Sequence, residues 1–559
     1  MEMNSAKILQ LERKTLFFLS MFIGLLFISR SLDNDIWFLL SHGRYVVQYG
    51  WPTTDPLSMH EGLDFVMQQW LSAVIFWESY VIGGESGPIT VVYIVSTAII
   101  CAYYRLLRLI AQGNRSIAIA MTALIMIMIC PLFMVTRPQI FSLLIFILTV
   151  YLLEKSTKSI TWTRYLAFFL LSVLLINLHA AMWPLMAILV LPYLVEKIVQ
   201  LDKKGWFLHQ IETPWRSYAL LLFIILAAGF LNPYGIDAMT YTSHSYGVSL
   251  INTMVTEMHP LTFDNILGKI AFALMGFLMI LFSKEKFPLH VVLLSLGMIV
   301  LALSASRSFS LFMTLGLIPT AYYFRHWQGM PEANTKNIKV NKRFCVIMMV
   351  LILATYCYGL YHAREAMLHS LEQVPLLIKI SIFLITILVG AIELRYGKLR
   401  QVRSIPIRLL ILCTVVLTMT SLTSLLGFTK PDPPIAKQAV DYILANESKS
   451  EITVWTGYAP GDYAEFRGLR PYIDPRAEVY LKVNNHKKDI LQEYRDLEAA
   501  AIPYQEFLSY YNFDYLLTEK GNLLYTYLKE DPDYELVLEY DGKSFGQDSS
   551  VRLYKPITK

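Results

Sequence analysis

Charge is scarce in this chain. Asp, Glu, Lys and Arg make up 16% of its 559 residues against 55% hydrophobic ones, and the mean hydropathy is +0.46. That balance excludes a soluble protein, because the apolar excess is gathered into long runs. The net charge of +5 names no partner, since basic residues in a membrane protein mostly set its orientation, and nothing points to nucleic acid. Cysteine is scarce as well: Cys101, Cys130, Cys345, Cys357 and Cys413 all fall in apolar runs. This excludes a disulfide framework or a zinc site and leaves them as small core residues. The first apolar run, Thr15 to Ser29, comes after Lys7, Arg13 and Lys14 and lacks a small-residue cleavage site, so it reads as an uncleaved anchor. Internal repeats and low-complexity segments are absent.

Runs long enough, or nearly so, to cross roughly 30 Å of hydrocarbon are expected near 15–30, 88–110, 116–135, 139–154, 162–178, 182–199, 217–231, 266–283, 288–304, 308–324, 343–361, 375–394 and 406–428, about thirteen in all. With a cytoplasmic N-terminus, the inner loops hold Arg105, Arg108, Arg115, Lys155, Lys158, Arg164, Lys197, Arg216, Lys284, Lys286 and Arg325, and the last two inner loops hold further basic residues. The outer loops hold little beyond Arg30, Arg44, Arg137, Arg307 and Arg364. This alternation is what the positive-inside rule demands. The expected architecture is therefore a polytopic α-helical membrane protein of the plasma membrane, with its N-terminus cytoplasmic. Residues 1–429 form the membrane domain, with a long external first loop at 31–84. After the proline-rich Lys430–Pro434, residues 430–559 alternate helical and strand-like segments and read as an external α/β domain.

The first loop carries acids and surface helices. Asp33 and Asp35 open it, Ile36, Leu39, Leu40 and Val46 recur at helical spacing, and Trp51-Pro52 and Asp55-Pro56 break the chain. A second helical pattern runs from about Phe65 to Tyr80, with Trp70 and Trp77 as boundary residues. The outer ends of the runs collect further polar groups: Arg137-Pro138-Gln139, Asn177, His179, Asn232-Pro233-Tyr234-Gly235, Glu257, His259 and Arg307. Ionisable groups near membrane depth are costly unless paired, so each is a candidate. Asp33 has the plainer reading of complementing the next helix N-terminus. Asn232–Gly235 reads as a helix stop, and His179 as either a satisfied buried histidine or a ligand. An external arginine runs against the charge rule, so Arg137 and Arg307 point to a phosphate or carboxylate partner. Two carboxylates two residues apart with wet arginines suit a lipid-linked phosphate substrate. One carboxylate would deprotonate an acceptor hydroxyl. The pair would hold a divalent cation such as Mg or Mn, and the arginines would bind the phosphate. Asp474 and Arg476, two apart, would share one face of a strand.

The pattern resembles the GT-C type integral-membrane glycosyltransferases, and more nearly a functionally unassigned bacterial branch. The residues that carry the likeness are Asp33, Asp35, Trp37, Gly43 and Arg44, and Pro52, Asp55 and Pro56. With them go Arg137-Pro138-Gln139, Asn177 and His179, Asn232–Gly235, Glu257, Gly461-Asp462-Tyr463 and Tyr472–Tyr480. Related sequences have a histidine where this chain has Phe38, and Glu-Trp where it has Gln69-Trp70, which leaves Asp33 and Asp35 as the principal acids. The resemblance implies a polyprenyl-phosphate-linked sugar donor and an outward-facing site. The expectation is an inverting glycosyltransferase acting on an external glycan, lipid or protein acceptor. Asp33 or Asp35 would be base and metal ligand, and Arg137, Arg307 and His179 would lie on the phosphate. One alternative is a polymerase or ligase using lipid-diphosphate oligosaccharides, which calls for a basic outer face. The other is a lipid-linked-sugar flippase or transporter, which calls for inverted repeats and broken helices at mid-membrane.

Overall fold

A computed structural model of the chain describes residues 28, 32–199, 207–245, 248–326, 433–449, 451–544 and 547–557. The runs expected at 343–361, 375–394 and 406–428, all of that at 15–30 but Ile28, and Cys345, Cys357 and Cys413 lie outside the described residues. Helices α1 (Ile36–Tyr49) and α2 (Trp70–Gly83) belong to the first loop. The bundle beyond them is made of α3 (Ser86–Ile110), α4 (Arg115–Phe133), α5 (Gln139–Lys155), α6 (Trp162–Leu178), α7 (Ala180–Ile198), α8 (Trp215–Gly229), α9 (Ile266–Lys284) and α10 (Leu289–Ser304). Of these, α3, α4, α7 and α9 are long and apolar enough to cross a membrane, and α6, α8 and α10 are shorter apolar helices. Helix is the form such runs must take, because hydrocarbon offers no partner for an open backbone.

One expected span differs. In place of a continuous helix over 308–324 there are a short turn Phe309–Leu311, a π-helical turn Phe312–Gly316 and then α11 (Ile318–Tyr323). Pro319 lacks an N–H and its ring crowds the carbonyl four residues back, so the ladder opens there.

Successive turns of the bundle gather at two ends. At one end the 111–114, 157–161, 207–214, 285–288 and 324–326 segments meet: Asn114 donates to the Arg325 carbonyl at 3.3 Å, Gln210 to Tyr322 Oη at 3.1 Å, and the Glu212 N–H to the Thr157 carbonyl at 2.8 Å. At the other end the first loop sits across the remaining turns. The Asp33 N–H donates to Thr136 Oγ1 at 3.0 Å, the Ala180 N–H to the Gln68 carbonyl at 2.8 Å, and Tyr234 Oη to the Pro52 carbonyl at 3.1 Å.

The C-terminal region begins with α12 (Lys437–Asn446), β1 (Thr453–Trp455), α13 (Gly461–Phe466) and β2 (Arg470–Pro471). It continues to β3 (Tyr515–Glu519), β4 (Tyr534–Ser544) and β5 (Gln547–Pro556). The sheet order is β2-β1-β3-β5-β4, parallel across β2, β1 and β3 and antiparallel beyond. Its core is shared with the first loop: Leu63, Phe65 and Met67 are buried with Trp455, Tyr472 and Leu516. The contact of α1 and α2 with α13 is aromatic, with the Trp37 ring of α1 5.0 Å from both Tyr463 and Phe466 and the Tyr80 ring of α2 5.5 Å from Phe466. Such pairs contribute about 0.5–1.5 kcal/mol each beyond the area they bury, more than exposed charge pairs would.

Candidate functional site

Asp35 occupies the N-cap position of α1, but its side chain makes no capping bond. It turns instead to Arg137, in the turn between α4 and α5. The Arg137 guanidinium is held on every nitrogen: Nε by Asp33 Oδ1 at 2.7 Å, Nη2 by Asp35 Oδ2 at 3.2 Å, and Nη1 by Glu257 Oε1 at 2.6 Å. Asp33 Oδ1 also accepts the Asp35 N–H at 3.2 Å, so it both stiffens the helix entry and pairs with the arginine. Three segments far apart in sequence thus supply one constellation, with the Arg307 turn beside it. There the Ser306 N–H donates to the His259 carbonyl at 2.9 Å and Ser306 Oγ to the Glu257 carbonyl at 3.1 Å. The Arg307 charge also bears on His179, whose Nδ1 pairs with Ser142 Oγ at 2.8 Å.

Burial, reinforced by the carboxylates of Asp33, Glu257 and Glu478, lifts Asp35 to about 7 against the pull of Arg137. It keeps 29% of its side-chain surface open within this cleft of protein groups. An acid held there takes up a proton readily near neutral pH.

One oxygen of each aspartate, Asp33 Oδ1 and Asp35 Oδ2, faces Arg137, and no three His, Cys, Asp or Glu side chains among the described residues form a metal-holding group.

Other candidates are engaged in scaffolding. Asn177 accepts from Trp70 Nε1 at 2.9 Å and donates to the Val173 and Leu231 carbonyls. Asn232 closes its own turn, donating to the Gly229 and Gly235 carbonyls and accepting the Tyr234 N–H. Asp55 is buried in the loop after α1, where Ser58 donates its N–H at 3.1 Å.

Asp474 and Arg476 do not lie on a strand. They sit in irregular chain between β2 and the 3₁₀ turn Ala477–Tyr480, drawn together when the Arg476 N–H and Nε donate to Asp474 Oδ1 at 2.9 and 2.8 Å. Arg476 Nη1 donates to Asp55 Oδ1 at 2.6 Å and to His42 Nε2 at 3.2 Å, and Nη2 to Glu465 Oε2 at 3.0 Å and Asp474 Oδ2 at 2.5 Å. Tyr480 also donates to Asp474. These groups meet because α13 comes directly after β1 and the Asp474 loop directly after β2. Neighbouring parallel strands release their succeeding segments at the same edge of the sheet. Burial and then the Arg476 charge push His42 well below its usual range, so it stays neutral. Burial would raise Asp55, but Arg476 and Ser58 hold it below the usual carboxylate range. Burial, with Asp474 and Asp55 nearby, raises Glu465 well above its usual range.

Asp462, one turn before Glu465 on α13, is buried, and among the described residues neither carboxylate oxygen has a hydrogen-bond partner. Burial first, then the charges of Asp35 and Glu465, raise it well above the normal range. Glu478, on the other side of Asp35, accepts from Tyr241 Oη at 3.0 Å. Sequence reasoning missed His42, Asp462, Glu465 and Glu478 as acids and bases of this region. The one signal that could have found His42 is its place seven residues after Asp35, on the same helical face.

No protein-family model matches the chain, and no curated protein matches it in sequence. Among solved structures, the oligosaccharyltransferase of Archaeoglobus fulgidus in complex with zinc and sulfate aligns at 10% identity and a TM-score of 0.48, over 90% of this chain and 68% of that one. ArnT from Cupriavidus metallidurans bound to undecaprenyl phosphate aligns at 13% identity and a TM-score of 0.43, over 97% of each chain.

Proposed function

We propose that the chain is an integral-membrane, inverting glycosyltransferase that moves a sugar from a polyprenyl-phosphate carrier to a hydroxyl of an acceptor outside the membrane. The observation that carries this reading is the constellation of Asp33, Asp35 and Glu257 around Arg137 at the end of the bundle covered by the first loop. Asp35 takes the acceptor proton as the acceptor oxygen attacks the anomeric carbon. The bond from that carbon to the carrier phosphate breaks, and the phosphate leaves as an anion. Arg137 receives it by exchanging Glu257, the most exposed of its partners at 43%, because a guanidinium fork fits phosphate as well as carboxylate. Arg307 and His179 line the same end and complete the phosphate side.

The lipid half of such a donor also finds a suitable surface. An apolar cavity of about 800 Å³ lies between α9 and α10, lined by Phe263, Phe272, Met275, Phe282 and Ile299, with Lys269 its charged lining residue.

The test is the lipid fraction of a strain lacking the gene. A polyprenyl-phosphate-linked sugar accumulates, the wild-type gene clears it, and the Asp35→Asn variant does not. An unchanged lipid profile on deletion, or full clearance by that variant, overturns the reading.

A further inference from the structure

The helix that carries Asp35 is gripped by the C-terminal region. Asp35 and His42 are seven residues apart on α1, which puts them within about 20° of one face. Helix α13 runs alongside α1: Asn34 donates to the Ala459 carbonyl at 3.2 Å at one end, and Arg44 to the Phe466 carbonyl at 2.9 Å at the other. Each helix is also pressed against its own neighbour: a side chain at Gly43 would meet the Ala73 carbonyl oxygen of α2 at 2.2 Å, and one at Gly461 the Ile473 carbonyl oxygen after β2 at 1.9 Å. At the His42 level Arg476 joins three elements at once: α1 through His42, the loop after it through Asp55, and α13 through Glu465.

Arg476 is 4% exposed, and Asp55, Glu465 and Asp474 are at most 1% exposed. A sealed ionic cluster of this kind is seldom more stable than apolar packing of the same volume. What it does supply is angle, because the planar fork accepts partners only in fixed directions. We propose that Arg476 is a positioning residue for Asp35: through His42 and Asp55 it sets where α1 lies, and so makes the C-terminal region a working part of the site at the bundle end. The kinetic consequence rests on the glycosyltransferase reading, whereas the structural consequence does not.

The test uses the full chain in lipid nanodiscs, with the native cysteines replaced by alanine and spin labels at Tyr49 and Val483. Both are exposed, at 73% and 69%, one at the end of α1 and one in the C-terminal region. The parent should show one narrow label-to-label distance. Asp55→Asn leaves Arg476 its partners Asp474 and Glu465, so the C-terminal region stays folded. The distance distribution should nevertheless broaden, and the transfer kcat should fall at least tenfold, with binding of undecaprenyl phosphate, the probe, within twofold of the parent. Arg476→Lys keeps the charge but not the fork and should behave in the same way. An unchanged narrow distance in both variants overturns the proposal whatever the rate. A parent that neither binds the probe nor transfers sugar overturns the glycosyltransferase reading alone, and the distance measurement still decides the clamp.

Discussion

Arg137 and Arg476 each hold three carboxylates, yet they do so in opposite surroundings. Arg137 is 19% exposed and its partners Asp33, Asp35 and Glu257 are 18%, 29% and 43% exposed. Arg476 is 4% exposed and its carboxylate partners are at most 1% exposed. An ion pair in contact with water contributes about 0–1 kcal/mol and can be traded for another anion. A sealed one cannot be traded, and removing its arginine strands the acids around it. The same chemical motif therefore suits a site in one place and a fastening in the other, and solvent access makes the difference.

The comparison breaks most visibly at Asp35. Asp35→Asn should lower transfer by ~10²–10⁴-fold, the usual cost of a lost general base, with the melting temperature unchanged. Turnover of purified enzyme checks this, and near-normal turnover would move the base to another carboxylate. Arg476→Ala should instead act on stability, by about 3–5 kcal/mol, because three buried acids lose their counter-charge. Denaturant or thermal unfolding in detergent reads the loss, and a stability equal to the parent's would show that the cluster relaxes into water.

Asp462→Asn should go the other way. A carboxyl raised on folding adds stability only below its unfolded value, and that contribution is lost as pH rises toward the folded value. The parent is therefore penalised progressively above about pH 4, whereas the amide is not. The variant should melt at the same temperature as the parent near pH 4 and higher by pH 8, by about 1–3 kcal/mol. A gap that shrinks with pH contradicts the assignment. Glu257→Gln is expected to be mildest. It should change stability by less than about 1 kcal/mol and shift the donor KM a few-fold with kcat held, which a KM series with the lipid-linked donor would resolve.

Much of the bundle was legible because hydrocarbon leaves few choices. The 162–178 run is helical end to end as expected, and 266–283 and 88–110 differ from their helices by at most two residues. The 308–324 run is helical too, but hydropathy does not register the π turn at Phe312–Gly316 that precedes Pro319. In the C-terminal region, the strand-like segments 452–455 and 515–518 were legible, and they fall on strands Thr453–Trp455 and Tyr515–Glu519. The strand reading of Asp474 and Arg476 failed because side chain–backbone bonding, with the Arg476 N–H on Asp474, competes with a ladder.

By itself the sequence determined that the chain is membrane-bound, where most of its described bundle helices run, and that Asp33, Asp35, Arg137 and Glu257 are unusual for where they lie. Those conclusions need only local composition and periodicity. Only the tertiary structure decided that residues 33, 35, 137 and 257 converge on one guanidinium, that Asp55 answers to Arg476, and that Asp462 has no hydrogen-bond partner among the described residues. Pairing across hundreds of residues depends on which helix ends and strand edges are brought together, and the interaction energy of two charges depends on their distance and on the water between them. Neither quantity is written in the order of the residues.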